Sequence, residues 1–562
     1  MSAARKRSTS NGSTDVSPPA KARRTEQDIH GPNDYHQALV HRDISDSDSD
    51  SSQDQAAEKI ETMYLDTVNR SNLDFDFEQL CSVSLSNNNI YACLVCGKYF
   101  QGRGKQTHAY FHSINDDHHV FANLQTLGVY VLPDNYEVED RSLNDIKAAI
   151  RPTYSARQVS QLDKRCEVAY DLGGKKYLAG FVGLNKIKYN DYMNVVVQAL
   201  AHVPPIRDAL LLLPDLEKRP VLVQRLASLV RKIWHPKLFK AHVSPHELVQ
   251  EVVNRSKRRF RMDAQGDAFE FLTWLLNTLH VDLGGSRKRN SSIVYRAFQG
   301  EIQVTKQPLV DPSRLAPEEE SAGIGAPNGI ATVKKTPFLT LSLDLPPKPL
   351  FSNDDGDDDG EAGIPQVALV SLLQRYNGSS TVEWHGEAKR YQLTELPQYI
   401  ICHVRRFSKT EFSVEKNPTV VNFPIRNMPF GELLPPDVQP ASKFNTTYDL
   451  VANICHDGQP EQQQGQNPKH DATAPAAIQT ASSSAAYAAD ETLSSDSQYL
   501  VYLRHAADEK WYMMRDLLVE PIMPQMILLS DSYIQIWQRN GNSNGNSNGN
   551  TKDTTVPASC SG

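Results

Sequence analysis

Cys93-Leu94-Val95-Cys96 is followed by His112 and His118, a Cys-x2-Cys-x15-His-x5-His spacing. Two thiolates on one tight turn and two imidazoles complete a tetrahedral zinc shell, and a shell closed by four protein ligands is structural because no position is left for water. His108 and His119 lie in the same cluster and compete for the ligand roles. The chain holds 7 cysteines, Cys81, Cys93, Cys96, Cys166, Cys402, Cys455 and Cys560. Their odd number and scatter do not read as a secreted disulfide framework, so metal binding or thiol catalysis is the chemistry to look for. Cys455-His456-Asp457 offers a local thiol and imidazole, but neighbours on a strand point to opposite faces and do not meet. Cys402, inside the apolar run 399–404, reads as core.

The elements that hold these residues occupy only part of 562 residues. Hydrophobic residues make up 39%, below the roughly 45–50% of globular chains, so part of the length is expected to pack nothing. A net charge of −8 excludes a histone-like phosphate binder. No apolar run approaches the ~18 residues that span a bilayer, and Arg5-Lys6-Arg7 precedes polar residues where a secretory signal needs an apolar stretch. A soluble, intracellular chain with no membrane partner is expected.

Residues 1–60 are expected to be disordered, since they are too polar to offset chain entropy. Within them Arg5-Lys6-Arg7 and Lys21-Ala22-Arg23-Arg24 form a bipartite nuclear-import pattern, and Asp46-Ser47-Asp48-Ser49-Asp50 alternates carboxylates with hydroxyls. Surface insertions are expected near 306–335, 352–363 and 457–496, and a disordered tail over 541–562. Ala268, Phe271, Leu272, Leu275, Leu276 and Leu279 recur at helical spacing, as do Leu222, Leu226, Leu229, Val230 and Ile233. Later the period becomes two: 339–345, 399–404, 499–503 and 532–537 read as strands. Helices first and strands later predict an α+β domain.

Around the cysteine pair, Gln101-Gly102-Arg103, His108-Ala109-Tyr110-Phe111-His112 and His118 resemble the ubiquitin-protease-type zinc finger. The resemblance implies a small zinc domain over 61–150 with one structural zinc ion on Cys93, Cys96, His112 and His118. In multi-zinc members a further site uses an earlier Cys-x2-Cys and the Cys of CGR; here Cys81 stands with Ser84 and Gln101, so that site is expected to be lost. Some such fingers capture the tail of ubiquitin partly through the CGR arginine, here Arg103, but the departures around it argue against ubiquitin capture.

After a linker over 151–180, the stretch from Gly183 to Asn194 resembles the cysteine box of ubiquitin-specific proteases, G-L-x-N-x-G-x-T-C-Y-M-N. Gln265 to Phe271 is similar to the QQDAxEF helix, Leu396 to Phe407 to LPxxLIxxLxRF, and Asn422-Phe423-Pro424 and Trp511-Tyr512 follow in family order. The resemblance covers residues 181–540 and implies a papain-like fold with a helical thumb and a β-rich palm and fingers. Its chemistry departs. The cysteine position is Asp191, the histidine position Gln498, and the orienting carboxylate position Arg515, beside Asp516; the oxyanion asparagine falls at Lys186, next to Asn185. A cysteine protease needs thiolate, imidazole and an orienting group; Asp191 is instead a good helix N-cap and a weak nucleophile. The finger-domain zinc of the family is also missing, since 303–307 and 384–390 contain no cysteine.

A finger of this kind, a protease domain with Asp at the cysteine site and a basic, Ser/Asp-rich head together resemble the inactive splicing branch of the ubiquitin-specific proteases. That implies a nuclear, non-catalytic scaffold of the spliceosomal tri-snRNP with other spliceosomal proteins as partners. The alternative is a ubiquitin-binding or residually active deubiquitinase. Direct RNA contact through Lys257-Arg258-Arg259 and Arg287-Lys288-Arg289 stays open, although charge clusters without interleaved aromatics read as solvated faces.

Overall fold

The computed structural model describes residues 64–308, 331–347, 365–384, 387–409, 414–435, 446–458 and 498–541. The basic clusters, the Ser/Asp run, most of the three expected insertions and the tail lie outside the described residues.

The first folded part is a five-stranded antiparallel sheet in the order Tyr99–Gln101, Ile90–Cys93, Val120–Asn123, Val129–Val131, Tyr136–Val138. Both faces are covered, and the strand period of two decides which residue goes where. Ile90, Ala92, Val120, Ala122, Val129 and Val131 pack with Leu143, Ile146 and Ile150. Tyr91, Cys93 and Phe121 turn the other way, onto Phe100 and Ala109. Ala109 belongs to helix His108–Asn115; burying its face on this side of the sheet carries His112 to the end of the Cys93 strand.

The larger part is built around helix Asp191–Ala201, every residue of which is buried. Asp191, Asn194 and Gln198 share one face, where they hydrogen-bond to neighbouring segments, and the apolar remainder of the helix places it inside a core. It packs on strands Gln498–Arg504 and Tyr448–Asp457 and on helix Ala268–Asp282, whose apolar positions are those of the sequence pattern and whose N-cap Asp267 accepts from the Glu270 amide at 2.8 Å. The seven-stranded sheet beneath runs Thr340–Asp344, Tyr399–Arg405, Ser532–Arg539, Tyr448–Asp457, Gln498–Arg504, Trp511–Arg515, Leu518–Ile522. Its first pair is parallel and the rest antiparallel. A separate four-stranded sheet orders Thr332–Phe338, Gly300–Pro308, Glu387–Glu395, Asn377–Trp384.

Two boundaries differ from expectation. Residues 151–180 are not a linker: they form helix Ala156–Val159 and the hairpin Val168–Tyr170/Lys176–Leu178, and Val159, Ala169 and Tyr177 join the helical core. Asp163 of this stretch receives both ends of the Arg207 guanidinium, at 2.6 and 2.7 Å, over a residue only 1% exposed. Scattered apolar residues in a polar stretch do not announce such a role, because their partners lie far along the chain. The insertion near 306–335 is also narrower than expected, since Lys306 pairs with Thr332 in the four-stranded sheet.

The finger docks on the helical core through two carboxylates. Lys232 Nζ reaches Asp76 at 2.7 Å and the Phe75 carbonyl at 2.8 Å, and Lys240 Nζ reaches Asp74 at 2.6 Å. Among the described residues no helix is long and apolar enough to cross a membrane.

Candidate functional site

At the finger, ligand atoms of Cys93, Cys96, His112 and His118 lie within 4.8 Å of one another. Gly97, at φ +77°, closes the turn after Cys96, its amide donating to the Cys93 carbonyl at 2.9 Å; a Cβ there would stand 2.1 Å from the Asn72 carbonyl oxygen, so only glycine fits. His112 Nε2 lies 3.4 Å from Cys96 Sγ and 3.0 Å from His118 Nδ1. The far nitrogen, Nδ1, meets Asp116 at 2.5 Å, an arrangement that fixes which ring nitrogen faces a metal. Cys93 is pushed up because it hydrogen-bonds Cys96, while Cys96 is pulled down to about 4 by that same bond, assisted by the imidazoles. The two sulfurs stand side by side at the place where a cation would neutralise both. Soft thiolates and imidazoles in a tight four-donor cluster fit zinc and not a hard cation.

The rivals take other roles. His119 is held by the Leu132 carbonyl at 2.7 Å and Asp117 at 2.9 Å, and His108 is not in the cluster. At the expected second site, Cys81 is fully buried and accepts from the Gln101 and Ser84 amides at 3.3 and 3.4 Å, and Ser84 Oγ donates to Gln101 Oε1 at 2.9 Å. A hydrogen-bonded bridge spans these residues. Arg103 lies 4.0 Å over the Tyr130 ring and donates to Asn135 at 2.8 Å. Asp116 was not found from sequence, although His and Asp at i, i+4 on a helix is a readable signal.

In the larger part the chain brings Asp191, Gln498 and Asp516 together. Asp191 opens the central helix but does not cap it; the N-cap is Asn190, and the Asp191 carboxylate instead crosses to neighbouring segments. Its Oδ2 accepts from the Tyr499 amide and from Gln265 Nε2, each at 3.0 Å, while Oδ1 is buried without a partner among the described residues. Gln498 Nε2 donates to Asp516 Oδ2 at 2.6 Å, and Asn194 Nδ2 donates to Asp516 Oδ1 at 3.0 Å. Burial raises Asp516, partly offset by those two donors and by Lys186. The expectation that Arg515 stands at the orienting position is corrected: Arg515 points outward to Asp457, 4.0 Å away, and Asp516 holds Gln498. Asp516 sits at φ +50°, so the turn between strands Trp511–Arg515 and Leu518–Ile522 directs its side chain inward. Lys186 is exposed and Asn185 contributes its carbonyl, which accepts from Asn190 and Asn194 at 3.2 Å each. The Asn190–Asn194 pair, also linked to each other at 3.1 Å, went unread although its i, i+4 spacing was visible.

Residues 182–537 match the family described as ubiquitin carboxyl-terminal hydrolase, and residues 81–143 match the Zn-finger in ubiquitin-hydrolases and other protein. The chain belongs to the ubiquitin carboxyl-terminal hydrolase family. It is 46% identical over 491 residues to ubiquitin carboxyl-terminal hydrolase 39 of Homo sapiens, covering 85% of this chain and 80% of that one. It is 42% identical over 485 residues to the probable mRNA-splicing protein ubp10 of Schizosaccharomyces pombe, covering 85% of this chain and 89% of the relative. A crystal structure of an essential yeast splicing factor superposes with a TM-score of 0.62 at 28% identity, covering 85% of this chain and 99% of that one.

In this hydrolase-family chain Cys402, Cys455, His403 and His456 are buried in the seven-stranded sheet. Cys402 is fully buried, and its thiol is raised by burial. Cys455 is pushed up to about 12 by burial and faces Ser530 at 3.3 Å, whereas its neighbour His456 packs on Tyr499 and Phe407; the two side chains diverge as strand geometry requires. Burial holds His202 and His456 down to about 4 and His403 to about 3. In the unfolded chain an imidazole takes its proton near pH 6.5, so below that pH the unfolded state binds protons that the folded state refuses, and stability falls as pH drops. We expect each of the three to remove about 1 kcal/mol between pH 7 and pH 5.5. Denaturant titrations at the two pH values check this, and His403→Phe, which keeps the stack on Phe269, should flatten the loss by one residue's share.

Proposed function

We propose that the chain is a non-catalytic nuclear scaffold of the spliceosomal tri-snRNP that supports pre-mRNA splicing. The observation that carries the reading is the Asp191, Gln498 and Asp516 cluster: a carboxylate, an amide and a second carboxylate stand where hydrolysis needs a thiolate, an imidazole and its orienting group. A carboxylate beside an amide has no base to activate it as a nucleophile, and losing all such partners costs on the order of 10⁶ in rate. The relatives named as splicing proteins support the biological role. We assign one zinc ion to Cys93, Cys96, His112 and His118, in a finger spanning 61–150, with the hydrolase-like domain over 181–540.

The alternative, ubiquitin binding or residual hydrolysis, draws on the retained segment Gln265–Phe271. Its polar side chains are already committed within the protein: Gln265 to Asp191, Asp267 to Tyr533 at 2.6 Å and Glu270 to Arg259 at 3.1 Å. The purified chain should therefore stay unlabelled by an activity-based ubiquitin probe, and a tagged form should recover tri-snRNP proteins from nuclear extract. Labelling at any cysteine refutes the non-catalytic reading; recovery of ubiquitin conjugates without tri-snRNP proteins refutes the scaffold reading.

A further inference from the structure

Helix Pro204–Leu211, the end of helix Ala268–Asp282 and helix Ile293–Phe298 enclose a pocket of about 250 Å³. Leu210, Leu213, Leu279 and Leu283 line it together with Arg219 and Arg296. No carboxylate and no aromatic ring is among the lining residues. Elsewhere on the same helical layer Arg207 pairs with Asp163, Arg225 with Glu247, Arg255 with Asp282 and Arg259 with Glu270, while Arg231 donates to the Leu213 carbonyl at 2.9 Å. Arg219 and Arg296 have no such carboxylate among the described residues, and Arg219 Nε is buried without a hydrogen-bond partner. A buried donor left unmatched is costly, and an acceptor brought by a ligand would satisfy it.

The dimensions and chemistry narrow the occupant. The volume lies below the roughly 300–1,000 Å³ of free small-molecule sites and suits one large apolar side chain used as an anchor. Single-stranded nucleic acid is held by stacking bases on aromatic faces, and this pocket has none. Two unmatched guanidiniums beside an aliphatic cavity complement a carboxylate attached to an apolar group.

We propose that this pocket docks an acidic peptide segment of a partner protein, inserting one large apolar side chain among the four leucines and setting a flanking carboxylate on Arg219 and Arg296. The test uses the full chain with labelled leucine methyl groups and two probes, acetyl-Glu-Glu-Leu-Leu-Asp-Glu-amide and acetyl-Lys-Lys-Leu-Leu-Lys-Lys-amide. The acidic peptide should shift the methyl signals of Leu210, Leu213, Leu279 and Leu283. Its affinity should fall at least about tenfold in Arg296→Glu, a change at an exposed position, and likewise in Ala209→Phe, which fills the cavity. Equal binding of the lysine peptide, unchanged affinity in Arg296→Glu, displacement by oligouridylate, or no methyl shift at millimolar acidic peptide would each overturn the proposal.

Discussion

Cys93→Ala should release zinc and unfold the finger while the hydrolase-like domain stays folded. Structural zinc contributes about 10–16 kcal/mol to a small module, as much as the whole stability of a typical domain, and here the four donors join the sheet, the helix and the loop after it. The apolar groups on the zinc side, Tyr91, Phe100, Ala109, Phe121 and Leu132, are too few to hold that arrangement alone. The helical core has its own apolar interior around Asp191–Ala201, so it loses only the docking contacts of Lys232 and Lys240. Zinc content and hydrogen exchange report the two events separately: protection should vanish over 90–138 and persist over 191–201. Retained stoichiometric zinc would reject the ligand set. Asp116→Ala, which removes only the support on His112, should weaken zinc affinity by about 10–100-fold without unfolding.

The second large effect is expected from Asp191→Cys combined with Gln498→His. Position 191 is at the start of a helix, where the peptide dipole favours an anion, and position 498 already donates to Asp516 at 2.6 Å. An imidazole in place of that amide would find its orienting carboxylate in position, with Asn194 steadying the carboxylate from the other side. The introduced thiol should titrate below about pH 7 in the double variant, as thiols beside an imidazolium do, and above about 8.5 in Asp191→Cys alone, where burial dominates. Thiolate absorbance against pH distinguishes the two. Equal titration in both variants would mean that Asp516 does not act as an orienting group.

That Asp516 holds this place, and not Arg515, shows where reading along the chain stops. Counting from Trp511 puts the two residues side by side, and strand alternation alone allows only one of them inward. Which one depends on the left-handed turn at Asp516 and on the packing of the hairpin behind Gly183, where a Cβ would meet Leu517 backbone atoms at 2.7 Å. In the same way, Asp191 at a helix start reads as a cap, yet its partners Tyr499 and Gln265 are 308 and 74 residues away. Residues 151–180 read as a linker because their apolar residues follow no period of their own; Val159, Ala169 and Tyr177 fill a core shaped by other segments.

The Cys/His cluster, the helix over Ala268–Leu279, the α+β order and the residue types at positions 191, 498 and 516 were determined by the sequence alone, because short spacing, helical period and strand alternation are local properties of a chain. The tertiary structure decided which of Arg515 and Asp516 meets Gln498, that Asp191 bridges segments where a cap was expected, that residues 151–180 belong to the core, and that Arg219 and Arg296 flank an apolar pocket with no carboxylate among the described residues to answer them. These are long-range facts: they depend on which surfaces meet when apolar area is buried, and no local pattern encodes that choice.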